Sequence, residues 1–333
     1  RAKAYLEKNA SVADSRLYNR LAGQMAQKPE TIKDGEALAR RAVELARREI
    51  AAPREPKPSF QTEREWKDQL DGGLGECLDT LGVVLLKINR QDEALKTLEE
   101  AVARTKSASP EVNEHYARAL IISGATRAVL EKIPAFISQG HSTATIKAIL
   151  KEAYIKEKGS DSGWTDTLTG LENAAREKLR AELNRWILDL PAPAFTLNDL
   201  EDGTLSLADF KGKTVILDFW ATWCGPCQAS FPGMKGIVEK YRDDPQVKAL
   251  FINSWERAED KKKNAADFIS ANSYPFQVLL DSNDTVIDAY KVDGIPTKFV
   301  IDKNGRIRFK SVGYSGSTDT LMAEISLMIE MVR

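Results

Sequence analysis

The chain has 333 residues, more than one typical core needs, so two domains are expected. Hydrophobic residues make up 42% and charged residues 29%, ordinary for a soluble globular protein. With 48 basic and 49 acidic residues the formal net charge is −1. That excludes a general attraction to nucleic acid or an anionic membrane, and no apolar run reaches the ~18 residues a membrane helix requires.

The sequence begins at Arg1 rather than Met, as expected of a processed or trimmed chain, in which any signal peptide or membrane anchor would already be gone. Residues 1–190 read as helical: Ala, Leu, Glu, Lys and Arg dominate, and apolar positions recur at three- and four-residue spacing. Pro53, Pro56 and Pro58, then Gly72 and Gly73, fall between the periodic segments. Leu78, Leu81-Gly82 and Leu85 have the first-helix spacing of a tetratricopeptide repeat; Ala94, Leu98 and Ala101 have that of its second helix. A further copy begins with Tyr116, Ala119 and Leu120. An earlier one shows Tyr18, Leu21, Ala22 and Met25, then a long loop before Glu36-Ala37-Leu38. This half resembles a degenerate tetratricopeptide array; an unrelated helical-hairpin domain is the alternative. Cys77 reads as a buried, inert thiol. Trp66, Trp164 and Trp186 read as helix-packing residues, and His115 and His141 as surface or helix-end residues.

At residue 191 the texture changes. Pro191-Ala192-Pro193-Ala194 breaks a long charged helix ending near Leu190. Strand-like runs follow at Thr214–Trp220, Val247–Asn253, Phe276–Leu280, Lys298–Ile301 and Ile307–Val312. Helical stretches at Cys227–Tyr241, Ala258–Ala271 and Thr318–Met331 lie between or after them. Strands alternating with helices predict an α/β layer with parallel pairing. Asn304-Gly305 predicts an antiparallel hairpin for the last two strands. The fold class is therefore multidomain: an all-α helical-repeat domain over 1–190, then an α/β domain over 191–333 with a mixed central sheet flanked by helices. Lys261-Lys262-Lys263 after Glu256, Glu259 and Asp260 reads as a solvated helix start.

Cys224-Gly225-Pro226-Cys227 carries the chemistry. It follows the buried-strand run through Trp220 and opens a helix. A cysteine at a helix N-terminus faces unpaired N–H groups and the positive end of the dipole, and both stabilise a thiolate. Cys224 is expected to be the exposed nucleophile, and Cys227 the more buried thiol that releases the mixed disulfide. A structural zinc site needs four ligands, and no second pair completes one. A c-type haem site needs His after Cys227, where Gln228 stands. A Cys–His protease needs a nearby base, and both histidines lie in the helical half. A merely structural disulfide over so short a loop stabilises little.

Trp223-Cys224-Gly225-Pro226-Cys227 and Gly294-Ile295-Pro296-Thr297 resemble the thioredoxin superfamily. Phe195-Thr196-Leu197, Lys211-Gly212-Lys213, Phe231-Pro232 and the insert before Tyr274-Pro275-Phe276 are similar to its TlpA/ResA branch. The resemblance covers residues 191–333. It implies that Ile295–Pro296 is a cis peptide facing the redox pair, with the Ile295 backbone open to an incoming peptide. It implies that Trp223 flanks the nucleophile. Asp218, six residues before Cys224, matches the superfamily's buried acid, implying proton exchange with Cys227; an Asp bonded at the strand end is the alternative. The chain departs from its branch in carrying Asp218 where a neutral residue is frequent, and Ser230 where a glutamate is frequent. A peroxiredoxin would have Pro and Thr at the positions of Leu217 and Ala221.

The resulting expectation is an enzyme, a thiol–disulfide oxidoreductase acting on protein disulfides through Cys224 and Cys227. It needs no cofactor beyond its redox-active disulfide, and Gly225-Pro226 points to the reducing direction. The catalytic residues expected are Cys224, Cys227 and Asp218; the substrate-binding residues are Trp223, Ile295 and Pro296. Partners would be protein thiol substrates, an upstream thiol reductant and a protein on the helical repeats, in the periplasm or cell envelope of a bacterium. The alternative is a repeat scaffold whose thioredoxin-like domain serves for docking.

Overall fold

Apolar residues at three- and four-residue spacing fold the first half of the chain into successive helices. The computed structural model describes residues 14–59, 61–314 and 316–333; Arg1 lies outside them. The chain divides into two compact units, Arg1–Ala175 and Arg176–Arg333.

The first unit holds α1 (Ser15–Met25), α2 (Ile32–Ala51), α3 (Glu63–Lys87), α4 (Gln91–Arg104), α5 (Pro110–Ile122), α6 (Thr126–Ser138) and α7 (Ala144–Lys158). It also holds the start of α8 (Trp164–Asn184). Asp14, Thr62, Ser109 and Thr143 each cap a helix by accepting a backbone N–H, which satisfies one of its orphan donors. From α1 to α7 each helix packs on the next in the chain. Cys77 is buried in α3, and desolvation pushes its thiol up to about 12, so it stays protonated and inert. The connection after Met25 is shorter than expected, because α2 begins at Ile32, ahead of Glu36. Gly35 permits this: a Cβ there would come within 3.2 Å of Ala26 N.

Gly82 of α3 meets Leu98 of α4, where a Cβ would fall 2.7 Å from Leu98 Cδ2. Leu98 is fully buried and has nowhere to move. Gly82→Ala gains helix propensity of ~1 kcal/mol but overpacks this contact by ~1–3 kcal/mol. Net destabilisation of ~1 kcal/mol is expected, read as a lower urea midpoint, and a raised midpoint would show that the two helices do not meet this tightly.

The second unit is built on one eight-stranded mixed sheet. Its strands are β1 (Leu190–Pro191), β2 (Thr196–Asp199), β3 (Thr204–Ser206), β4 (Thr214–Trp220), β5 (Val247–Asn253), β6 (Val278–Leu280), β7 (Thr297–Ile301) and β8 (Arg306–Val312). They lie in the order β1-β8-β7-β4-β5-β6-β2-β3. β4, β5 and β6 are parallel, while β7 runs antiparallel to both β4 and β8. The helices are α9 (Gly225–Lys240), α10 (Lys261–Asn272), the short α11 (Thr285–Ala289) and α12 (Thr318–Val332).

Side chains alternate across a strand, so β4 divides its residues between two cores. Val215, Leu217 and Phe219 pack with Leu250, Ile252, Phe299, Val286 and Ile287 on one face. Ile216 and Trp220 pack with Phe251, Val300, Cys227, Phe231 and Ile325 on the other. Asp218 shares this second face, the one that carries α9 and α12.

The helix expected to reach Leu190 ends at Asn184. Arg185 and Trp186 close i→i−3 turns, and the Leu188 N–H then bonds the Arg308 carbonyl at 2.7 Å, drawing the chain onto the edge of β8. Trp186 is consequently 74% exposed rather than packed in a helix, whereas Trp164 is buried.

Candidate active site

β4 is seven residues of continuous burial and delivers the chain at Trp220 to the N-terminus of α9. Cys224 is the N-cap of α9, in extended backbone conformation, and Pro226 occupies the first turn, where a missing N–H costs nothing. Cys224 and Cys227 are joined as a disulfide with Cα atoms 5.2 Å apart. The Cys227 backbone N–H donates to Cys224 Sγ at 3.2 Å. Cys224 is 3% exposed and Cys227 0%, so the expected order of burial holds, but Cys224 is far less open than an exposed nucleophile. The Ile295 carbonyl oxygen, 3.5 Å from Cys224 Sγ, covers part of it.

Ile295–Pro296 is a cis peptide. It follows Gly294 and precedes β7, where Thr297 Oγ1 donates to the Gly294 carbonyl at 2.6 Å and Gly313 N–H to the Pro296 carbonyl at 2.8 Å. These two bonds fix the turn against Cys224. Among the described residues no backbone group is hydrogen-bonded to the Ile295 N–H or carbonyl.

Trp223 is 41% exposed, and its ring is held from two sides. Its Nε1–H donates to the Trp255 carbonyl at 2.8 Å, and the Arg257 guanidinium lies 3.9 Å from the ring centroid. Glu256, between those two residues, is buried rather than part of a solvated helix start. Its carboxylate accepts the Thr222 N–H at 3.0 Å, the Arg257 N–H at 2.9 Å and the Asn253 amide at 3.4 Å. Burial pushes the Glu256 carboxyl up, but these hydrogen bonds outweigh it and hold the group below its ordinary value. Segment 254–257 thus clamps the two residues that precede Cys224.

Asp218 is fully buried, and so is Lys298, its partner in the β4–β7 register. The ammonium lies 3.3 Å from Asp218 Oδ1 and donates to Ser230 Oγ at 3.4 Å. Ser230 Oγ in turn donates to the Cys227 carbonyl at 2.8 Å. Desolvation raises the Asp218 carboxyl above its ordinary value, and the Lys298 charge opposes that rise.

All six residues singled out in the sequence therefore lie around one helix N-terminus or on the sheet face behind it. Lys298, Glu256 and Arg257 were not anticipated. Among the described residues there is no cluster of His, Cys, Asp and Glu able to hold a metal ion, and no helix long and apolar enough to cross a membrane.

Residues 188–310 match the family described as AhpC/TSA. A thiol-disulfide oxidoreductase ResA of Bacillus cereus is 35% identical over 134 residues, 40% of this chain and 74% of the relative. The chain belongs to the ResA family of thiol-disulfide oxidoreductases. ResA of Geobacillus thermodenitrificans is 38% identical over 117 residues; the match takes in 35% of this chain and 64% of that relative's length. A solved structure described as a putative thiol:disulfide interchange protein DsbE from Chlorobium tepidum is 32% identical. It covers 42% of this chain and 96% of its own, at a TM-score of 0.38. In this chain the thioredoxin-like fold sets Lys298, paired with Asp218, behind the cysteines.

Proposed function

We propose that this chain exchanges protein disulfides through Cys224 and Cys227, in the reducing direction, as a thioredoxin-like domain over 191–333 fused to a repeat-like helical domain over 1–190. The observation that carries the reading is the Cys224–Cys227 pair at the start of α9, with the Cys227 N–H directed at Cys224 Sγ. An N–H donor and the positive end of a helix favour a thiolate at Cys224.

In the reduced protein the Cys224 thiolate attacks one sulfur of a substrate disulfide, and the other substrate sulfur leaves as a thiolate. Cys227 then gives its proton to Asp218 and attacks Cys224 Sγ. The second substrate thiolate leaves and Cys224–Cys227 closes. Two electrons pass to the substrate, whose two thiolates take up two protons, one released through Asp218 and one from solvent. An upstream thiol reductant restores the dithiol, and no further cofactor is needed. Trp223 and the Ile295–Pro296 turn receive the substrate backbone beside Cys224, as a short added strand. The helical domain recruits a partner or substrate, and the work belongs to the cell envelope of a bacterium.

Insulin reduction by dithiothreitol, followed by turbidity, tests this reading. The wild-type chain is expected to accelerate it and Cys224→Ser to give the rate of dithiothreitol alone; equal rates for both would leave a docking scaffold. A redox titration with thiol trapping sets the direction. A midpoint near ~−270 mV fits a reductant, and one near ~−120 mV would reverse the assignment.

A further inference from the structure

Four strands place one residue each in a row across the sheet: Phe251 on β5, Asp218 on β4, Lys298 on β7 and Ser311 on β8. Over the two charged members lie Ser230 of α9 and the C-terminal helix α12, which packs on β7 and carries Glu324. Burial pushes the Glu324 carboxyl above its ordinary value, while Ser311 and Lys298 oppose the rise. The groups facing Lys298 are thus Asp218, Ser230, Ser311 and Glu324, from four elements.

A lysine in the middle of this strand is not required for packing. Its neighbours Phe299, Val300 and Ile301 are fully apolar, and an aliphatic residue would fit the same layer. A buried ammonium is retained only when paired. Here the pairing runs in one direction: the ion pair with Asp218, then the bond to Ser230, then the Cys227 carbonyl.

We propose that Lys298 is a positioning residue for the exchange reaction: its ammonium, fixed between Asp218 and Ser230, keeps the Asp218 carboxylate ionised and able to take the Cys227 proton near neutral pH. This rests on the exchange reading above. A carboxylate with no exposure and no cation beside it takes up a proton instead of holding a charge. It then has no capacity left to accept one from Cys227. Lys298 touches neither substrate nor sulfur and acts through Asp218.

Reaction of the reduced full-length chain with 5,5′-dithiobis(2-nitrobenzoate) in a stopped-flow instrument separates the steps. The first thionitrobenzoate released reports attack by Cys224, and the second reports attack by Cys227. Both phases are followed between about pH 5 and 9, which spans the carboxyl and thiol titrations. In Lys298→Met the acid limb of the second phase is expected to move up by at least about one pH unit, making it about tenfold slower below that limb, with the first phase unchanged. Lys298→Arg restores the limb. A second phase in Lys298→Met that overlays the wild type overturns the inference.

Should Lys298→Met fail to fold, Asp218→Asn and Asp218→Asn/Lys298→Met give the same answer without a buried carboxylate. Their second phases are expected to coincide; a further shift in the double variant would mean that Lys298 does not act through Asp218. Failure of the exchange reading looks different: Cys224→Ser would then release the first equivalent as fast as the wild type.

Discussion

Reduced Cys227→Ser protein is expected to complete one chemical step and stop. Cys224 keeps its place at the start of α9 in this variant, and its sulfur keeps the backbone N–H of residue 227, which a serine supplies equally. Attack on a substrate disulfide therefore proceeds. The attack that frees the product needs a second sulfur, and a serine hydroxyl at neutral pH is too poor a nucleophile to supply it. Cys77 cannot stand in, because burial pushes its thiol up to about 12 and leaves it protonated. A covalent adduct through Cys224 should accumulate to one equivalent, visible on a non-reducing gel and released by dithiothreitol. Insulin turnover should fall to the rate of dithiothreitol alone. Turnover persisting at the wild-type rate would sink the two-cysteine scheme. The trapped adducts from an envelope extract, identified by mass, would name the substrates.

The elements that were legible in the sequence are those whose burial is local. β4 and β5 are seven-residue runs dominated by apolar side chains, and their bounds are those expected from the sequence, since a strand covered on both faces shows little polar alternation. Asn304-Gly305 fixed the β7–β8 hairpin because the turn requires positive φ, which Gly305 adopts at 76°. β1, β2 and β3 have two, four and three residues, too short for any period to register.

The site divides in the same way. The cysteines and the cis-proline announced themselves through short motifs. Lys298 did not, because a lysine in a strand reads as a solvent-facing position until the β4–β7 register sets it opposite Asp218, 80 positions earlier in the chain. Glu256 read as solvated for a similar reason: its partner Thr222 is 34 residues away. Charge in a sequence carries no label of burial, and only pairing across the sheet supplies it.

The largest expected effect on stability concerns the same pair. Asp218→Leu leaves the Lys298 ammonium buried without its partner, and breaking a buried pair in this way costs ~3–5 kcal/mol. Asp218→Leu/Lys298→Met removes both charges and fills the space with apolar side chains. It is expected to be neutral or more stable than wild type by up to ~4 kcal/mol, because neither group then pays for desolvation. Urea unfolding of the oxidised full chain measures both, and the two single variants complete the cycle. The pH dependence carries a sign of its own. The folded Asp218 carboxyl lies above its unfolded value, so the folded state binds the proton more tightly. Its contribution to stability is fully present below the unfolded value of ~3.9 and is lost as pH rises through the raised folded value. Glu324, raised in the same direction, adds to that fall. Asp218→Asn should remove its share of the decline, and an identical pH slope in this variant would show that the buried carboxyl titrates normally. A double variant more stable than the wild type but slow in resolving mixed disulfides would show that the pair is kept against stability, for the proton that Cys227 must lose.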